Sequence, residues 1–155
     1  MKNIWRGVSI FLILIGGMSM LLFHKGKEDK TLLYDSSAIT YDPKMESVVA
    51  DKNDQIILPG VKEIVINQGS SDVMFPLYNV KGNDADLVFE VKLEEKNKVL
   101  RTTQRVAPGK AILMVPLPEN LAKGMYHLKT TIMVYKKGKT FKINSGVVMT
   151  TLIVK

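Results

Sequence analysis

The stretch Asp86-Leu-Val-Phe-Glu-Val-Lys-Leu93 (DLVFEVKL) decides the fold class of this chain. Every second residue from Leu87 to Leu93 is apolar, whereas the charged residues Glu90 and Lys92 fall between them. Side chains of a β-strand alternate between its two faces. The pattern therefore predicts a strand with one face in a core and the other face in solvent.

The chain after Asn53 consists of short apolar runs that turn residues separate at intervals near ten. This spacing is typical of all-β sandwiches and barrels, and we predict an immunoglobulin-like or fibronectin-III-like sandwich of about seven to nine strands. No segment in this part has helical periodicity of useful length. The predicted strands are Gln55–Leu58, Glu63–Asn67, Val73–Asn79, Asp86–Leu93, Lys98–Val106, Ala111–Leu117, Tyr126–Tyr135, Thr140–Ile143 and Val147–Val154.

Turn and bulge residues refine this arrangement. Pro76 cannot donate a ladder hydrogen bond, so it predicts a sheet edge or a bulge within its strand. Gly124, followed by Tyr126 at the start of a late strand, is typical of a tyrosine corner, in which the tyrosine hydroxyl binds the loop backbone. Lys137-Gly138 predicts a hairpin tip, and Asn144-Ser145-Gly146 predicts a break before the last strand.

The composition leaves few routes to catalysis. The 155 residues include no cysteine, which excludes disulfides, thiolate metal sites and thiol nucleophiles. His127 is the only histidine of the predicted sandwich, and alternation places it on the exposed face. Ser70, Ser71 and Ser145 fall in predicted turns, and the chain has neither a Gly-x-Ser-x-Gly elbow nor a glycine-rich phosphate loop. We therefore expect no enzyme activity and no cofactor.

Two groups of Asp and Asn, at 51–54 and 83–86, carry oxygen atoms of the kind that bind calcium. Neither group matches the EF-hand pattern, and both residue types are common in turns. We therefore expect no metal site.

The strongest signal in the sequence lies at its start. Residues 4–23 carry a single charge, Arg6, and as a helix they would span about 30 Å, the thickness of a bilayer core. We predict a signal anchor with one transmembrane helix over residues 1–23. Gly16 and Gly17 are the expected contact with another helix in the membrane. A cleaved signal peptide is the alternative, although the apolar run is followed directly by bulky and basic residues rather than a cleavage site.

Residues 24–53 mix charges with short apolar groups, so we predict a tether there and the sandwich domain over 54–155. In an alternative, Ala38–Tyr41 or Glu46–Ala50 forms the first edge strand of the domain. Basic residues nearly balance on the two sides of the apolar segment, so the positive-inside rule does not orient it. The very short preceding tail and the β-rich domain favour a single-pass protein of the cell membrane with its C-terminal domain outside the cytoplasm.

The net charge of +7 is unevenly distributed. No acidic residue follows Glu119, and Lys136, Lys137 and Lys139 form a compact cationic group at the predicted hairpin tip. One interpretation is a solvated turn whose lysines oppose aggregation between sheets. The other is a binding site for an anionic surface, such as lipid headgroups, wall polymers or an acidic protein. Nucleic acid is not an expected partner, because the cluster lacks arginine and has few aromatic neighbours.

Four short elements of the domain resemble small exported proteins of Gram-positive bacteria, which carry one N-terminal membrane segment and one β-sandwich. The elements are Ile57-Leu58-Pro59-Gly60, Val106-Ala107-Pro108-Gly109-Lys110, Leu121–Tyr126 and Leu152-Ile153-Val154-Lys155. The resemblance implies a cell-envelope protein without known catalytic residues that acts beside a larger surface or transfer apparatus.

These observations predict a membrane-anchored, non-enzymatic protein–protein interaction module of the bacterial cell envelope, accessory to a surface, secretion or DNA-transfer assembly. Another envelope or membrane protein is the expected partner, bound through Lys136, Lys137 and Lys139 and secondarily through the edge near Pro76. A cell-wall polymer or carbohydrate-binding module is the alternative function.

Overall fold

The computed structural model describes residues 32–43, 56–58 and 60–155, so the predicted membrane segment with Gly16 and Gly17 lies outside the described residues. Within these ranges no helix has the length and apolar character needed to cross a membrane. Apart from one 3₁₀ turn at Glu94–Lys96, the regular structure there is β-strand. The strands are β1 (Ile39–Thr40), β2 (Glu63–Ile66), β3 (Asp72–Asn79), β4 (Ala85–Leu93), β5 (Lys98–Thr102), β6 (Lys110–Pro116), β7 (Gly124–Lys136) and β8 (Lys142–Val154).

The eight described strands form two sheets, which confirms the predicted all-β sandwich. One sheet has three strands in the order β1-β6-β3, and the other has five in the order β2-β8-β7-β4-β5. Neighbouring strands are antiparallel except β2, which runs parallel to β8. The parallel pair joins strands far apart in the sequence, as a parallel connection requires.

The core lies between the two sheets and is built by alternation. In β4 the alternate residues Leu87, Phe89, Val91 and Leu93 are all at most 1% exposed, as their spacing predicts. The inward residues of β7 are buried in the same way, and β3 contributes Val73, Phe75 and Leu77 from the opposite sheet. Burying each large apolar side chain contributes about 1.5–3 kcal/mol, so these facing rows supply the main stabilising term.

Two predicted details are confirmed. The pairing of β3 with β6 shifts register between Met74 and Leu77, around Pro76, and β3 is an edge strand of its sheet. The Tyr126 hydroxyl donates a hydrogen bond to the Ala122 carbonyl, 2.9 Å away, and so forms the tyrosine corner. This bond fixes the loop before β7 to the sheet.

The predicted break at 144–146 is wrong, because β8 continues through it from Lys142 to Val154. These residues pair with β7, and a register shift opposite Val134 and Tyr135 absorbs one extra residue. Gly146 does not serve a turn. A Cβ there would come 2.6 Å from the Leu58 Cδ1 atom, so the glycine allows residue 58 to pass over the strand. Residues 56–58 themselves form no strand, contrary to the expectation for Gln55–Leu58.

Part of the segment predicted as a tether belongs to the sandwich. Ile39 pairs with Ala111 in β6, as the alternative for Ala38–Tyr41 proposed, and Tyr34 forms an isolated parallel bridge with Arg105. The tether therefore does not extend through residues 32–43. Residues 24–31 and 44–53 lie outside the described part of the chain.

Two asparagines hold the β3–β4 connection. The Asn79 side-chain amide donates to the carbonyls of Ala85 and Val106, both at 2.8 Å, and the residue is fully buried. Its oxygen accepts a hydrogen bond from Asn83, whose side chain also exchanges two bonds with the backbone of Ile57. Side-chain amides thereby satisfy backbone groups where the strand ladder ends.

We expect Asn79→Ala to lower the free energy of unfolding by about 2 kcal/mol, because it removes three buried hydrogen bonds: those to the Ala85 and Val106 carbonyls and the one from Asn83. Asn67→Ala, at an exposed position, is the matched control and should change stability by less than about 0.5 kcal/mol. Urea denaturation of both variants measures the difference. Equal stability of the two variants would contradict this role of Asn79.

Candidate functional site

The predicted lysine cluster forms a compact tip on the β7–β8 hairpin. Lys136 ends β7, and a turn closed by a hydrogen bond from the Lys139 N–H to its carbonyl brings the three lysines together. Gly138 takes a left-handed backbone conformation in this turn (φ 66°). Only one of the three lysines has an ion-pair partner among the described residues: the Lys136 Nζ lies 3.8 Å from an Asp84 carboxylate oxygen, and both side chains are more than half exposed.

A buried carboxylate, which the sequence did not reveal, lies beside the tip. The Asp86 side chain is 1% exposed although it lies on the outer face of the five-stranded sheet. Its Oδ2 atom accepts hydrogen bonds from the Tyr34 hydroxyl at 3.0 Å, from Arg105 at 3.4 Å and from the Gly138 N–H at 3.4 Å. The carboxylate therefore connects the start of the described domain, the segment before β6 and the lysine tip.

Arg105 completes this cluster. Its guanidinium lies over the Tyr135 ring, 4.2 Å from the ring centre, and its side chain is 9% exposed. Arginine is suited to this position because its weakly hydrated, planar cation stacks on aromatic rings. Since both charges are removed from water, each depends on the other for compensation. We conclude that the pair holds the tip in place.

Asp35 makes a second, more exposed network at the same end. Its carboxylate accepts hydrogen bonds from the Ser37 hydroxyl and N–H and from the Gln104 N–H, and Arg101 lies 3.9 Å away. Partial burial raises the pKa of this carboxyl, but the hydrogen bonds and the arginine charge outweigh burial. The pKa therefore lies below its ordinary value of 3.8.

An apolar patch occupies the outer face of the five-stranded sheet, from the middle of the β7–β8 hairpin to the end away from the tip. Val65 and Met125 pair with Ile153 from its two sides, and Val147 and Met149 lie on the same face of β8. A polar row lies between these two apolar groups and consists of Glu63, Thr151 and His127. Apart from the half-buried Ile153, the apolar side chains are 49–63% exposed. Exposed apolar residues that cluster on one face of a sheet are typical of interaction surfaces.

Polar groups border and divide the apolar patch. Lys129 pairs with Met149, and His127 lies on the same face of β7. The His127 Nδ1 atom is 2.6 Å from a Glu95 carboxylate oxygen, and the His127 N–H donates to the other oxygen. Desolvation raises the pKa of Glu95, but these hydrogen bonds lower it by more, so its pKa is below 4.5. The pair anchors the 3₁₀ turn beside the patch.

The residues proposed as calcium ligands are used elsewhere where the structure describes them. The Asn83 amide binds Ile57, and Asp86 is paired with Arg105. Over the described ranges no group of three His, Asp or Glu side chains is placed to hold a metal ion. Residues 51–54 lie outside these ranges.

A cavity of 140 Å³ opens between β3 and β8. Its lining is mainly apolar and includes Tyr41 and Tyr78, whose rings meet edge to face at 5.2 Å. The buried Thr130 hydroxyl lies in this lining without a hydrogen-bond partner in the described residues. The cavity is large enough to hold one small apolar group.

Comparison with protein-family models finds no match for the chain. A search of curated proteins also returns no match.

Sequence reasoning located the three lysines but missed the residues that support them. Tyr34 lies in the predicted tether, and Arg105 lies near the end of the predicted strand Lys98–Val106. Asp86 sits at an outward position like Glu90 and Lys92, and alternation alone does not show which outward residues other segments cover.

Asp86→Asn should lower the free energy of unfolding by about 3–5 kcal/mol, because it leaves the Arg105 cation buried without a counter-charge. Asp84→Asn is the control, since that side chain is 80% exposed, and it should change stability by less than about 0.5 kcal/mol. Chemical denaturation measures both. Hydrogen exchange at the Gly138 amide should also accelerate in Asp86→Asn alone, and unchanged exchange would argue against the tip being held by this carboxylate.

Asp35 should stabilise the fold at neutral pH and lose this contribution under acid conditions. Its pKa is lower in the folded chain than in the unfolded chain, so the stabilisation is complete above the unfolded value of about 4 and disappears as pH falls through the folded value. Asp35→Asn should therefore have a lower free energy of unfolding than the unmodified protein at pH 7. It should also lose less of that free energy as pH falls below 4. In denaturation experiments across pH, Ser37→Ala should show a pH dependence of the free energy of unfolding between those of Asp35→Asn and the unmodified protein. An unaltered pH dependence in both variants would refute the role of Asp35.

Proposed function

We propose that this protein is a membrane-anchored, non-enzymatic interaction module of the bacterial cell envelope, in which residues 1–23 anchor a domain outside the cytoplasm. The domain binds another envelope or membrane protein that belongs to a larger surface, secretion or DNA-transfer assembly. The observation that carries the proposal is the apolar patch on the outer face of the five-stranded sheet. We assign the domain to the immunoglobulin-like class, which the eight described strands in two sheets and the Tyr126 corner support.

The patch has the features of a protein-binding surface. Its centre is apolar, with Met125 at 63% and Val147 at 56% exposure, and its border carries Lys129 and the His127–Glu95 pair. Interfaces between proteins combine an apolar centre with a polar rim in this way. The anchor adds to the affinity, because it keeps the patch at high effective concentration near partners in the same membrane.

The lysine tip is the second surface in this proposal. The patch and the tip occupy different parts of one hairpin: Val147, opposite Thr131, is five positions of β7 from Lys136, and Met125 is eleven positions from it. At the rise of an extended strand the distance from Met125 to Lys136 is about 40 Å. One molecule can therefore engage a protein at the patch and an anionic surface at Lys136, Lys137 and Lys139 simultaneously.

Photo-cross-linking from the full chain in its native membrane tests the protein partner. A cross-linking residue at Met149 should capture one defined envelope protein. The same residue at Met114 should not, although that methionine is similarly exposed on the outer face of the other sheet. Val147→Asp should weaken the capture by about tenfold, because an unpaired carboxylate in an interface is costly. Capture from Met114 alone would show that the partner binds the other sheet, and no specific capture from Met149 would overturn the proposal.

A further inference from the structure

The lysine tip and the start of the described domain both donate a hydrogen bond to the same carboxylate oxygen of Asp86. The Tyr34 hydroxyl and the Gly138 N–H both donate to the Asp86 Oδ2 atom, at 3.0 and 3.4 Å. Arg105 joins them, since it forms a parallel bridge with Tyr34 and lies over the Tyr135 ring. The position at which the chain enters the described domain is therefore at the same end of the sandwich as the tip.

The sequence before this position limits how far that end can lie from the membrane anchor. Eight residues, 24–31, separate Phe23 from Leu32. Even fully extended, the connection spans about 30 Å. The short connection therefore joins the domain at the end that carries the tip.

The tip also has the chemistry of a surface that binds anionic lipid. Beyond Lys136, which is paired with Asp84, it presents Lys137, Lys139 and Lys142, and the chain from residue 120 to its end has no acidic residue. Phe141 is 59% exposed and Ile143 is 52% exposed beside these lysines. Lysines bind anionic headgroups, while an exposed aromatic or aliphatic side chain enters the boundary between headgroups and acyl chains.

We infer that the hairpin tip docks on the anionic headgroups of the membrane that anchors the chain. This inference rests on the anchor in the proposed function and assigns the anionic surface to lipid rather than to an acidic protein. The exposed Phe141 favours lipid, as does the short connection at the same end of the domain. Docking would leave the apolar patch, which lies further along the same sheet, accessible to a protein partner.

The full chain, reconstituted in vesicles, tests this inference. Because the chain has no cysteine, Thr140→Cys gives a single site for an environment-sensitive fluorophore at the tip. Ala122→Cys gives the matched exposed site before β7, at the other end of the domain. Vesicles contain phosphatidylcholine with or without phosphatidylglycerol, together with a lipid-linked quencher. We expect several-fold stronger quenching at position 140 than at position 122, only with phosphatidylglycerol, and a loss of this difference in high salt.

Lys137→Glu combined with Lys139→Glu should abolish most of the lipid-dependent quenching at position 140, because each lysine near an anionic surface contributes about a fivefold change in binding. Alkaline carbonate extraction of the same vesicles reports separately on the anchor. A chain that carbonate removes overturns the anchor and this inference together. A chain that resists extraction but is quenched equally at both positions, or equally with and without phosphatidylglycerol, overturns lipid docking alone, as does selective cross-linking of the tip to an acidic protein.

Discussion

The ion pair between Asp86 and Arg105 is the constraint on which one end of this domain depends. Both side chains are at least nine-tenths buried, so neither can lose its partner without leaving an uncompensated charge away from water. Around the pair, the Tyr34 hydroxyl, the Tyr135 ring and the Gly138 N–H take fixed positions. Segments that are remote in the sequence are thereby held together, and the lysine tip acquires a defined place relative to the start of the domain.

The two faces of the five-stranded sheet have different tasks. The inner face packs against the other sheet, and its alternating apolar side chains supply most of the stabilisation. The outer face is free to specify interactions, and its character changes along β7 and β8. It is apolar around Met125 and Met149, and basic with an exposed aromatic residue around Lys139 and Phe141. A protein-binding patch and a lipid-facing tip on one rigid sheet would give an anchored module both a position and an orientation.

Prediction from sequence succeeded where the signal was local. The alternation of β4, the corner formed by Tyr126 and the bulge at Pro76 each depend on a few neighbouring residues. It failed at Gly146, because a glycine serves equally for a turn and for the close approach of another segment, here Leu58. It also failed at residues 32–43, whose short apolar groups have no strong periodicity and whose place in the sandwich comes from pairing with β6 and with Arg105.

The sequence by itself determined the all-β class, the inward and outward sets of the long strands, the hairpin tip with its three lysines, and the absence of cysteine chemistry. These properties follow from residue type and from the two-residue period of a strand, which are local. Only the tertiary structure decided that β2 runs parallel to β8 and that Asp86 is buried on an outward face. Tyr34 and Gly138 each lie 52 positions from Asp86. No local pattern specifies which distant segments will cover a residue, because that depends on how the whole chain packs.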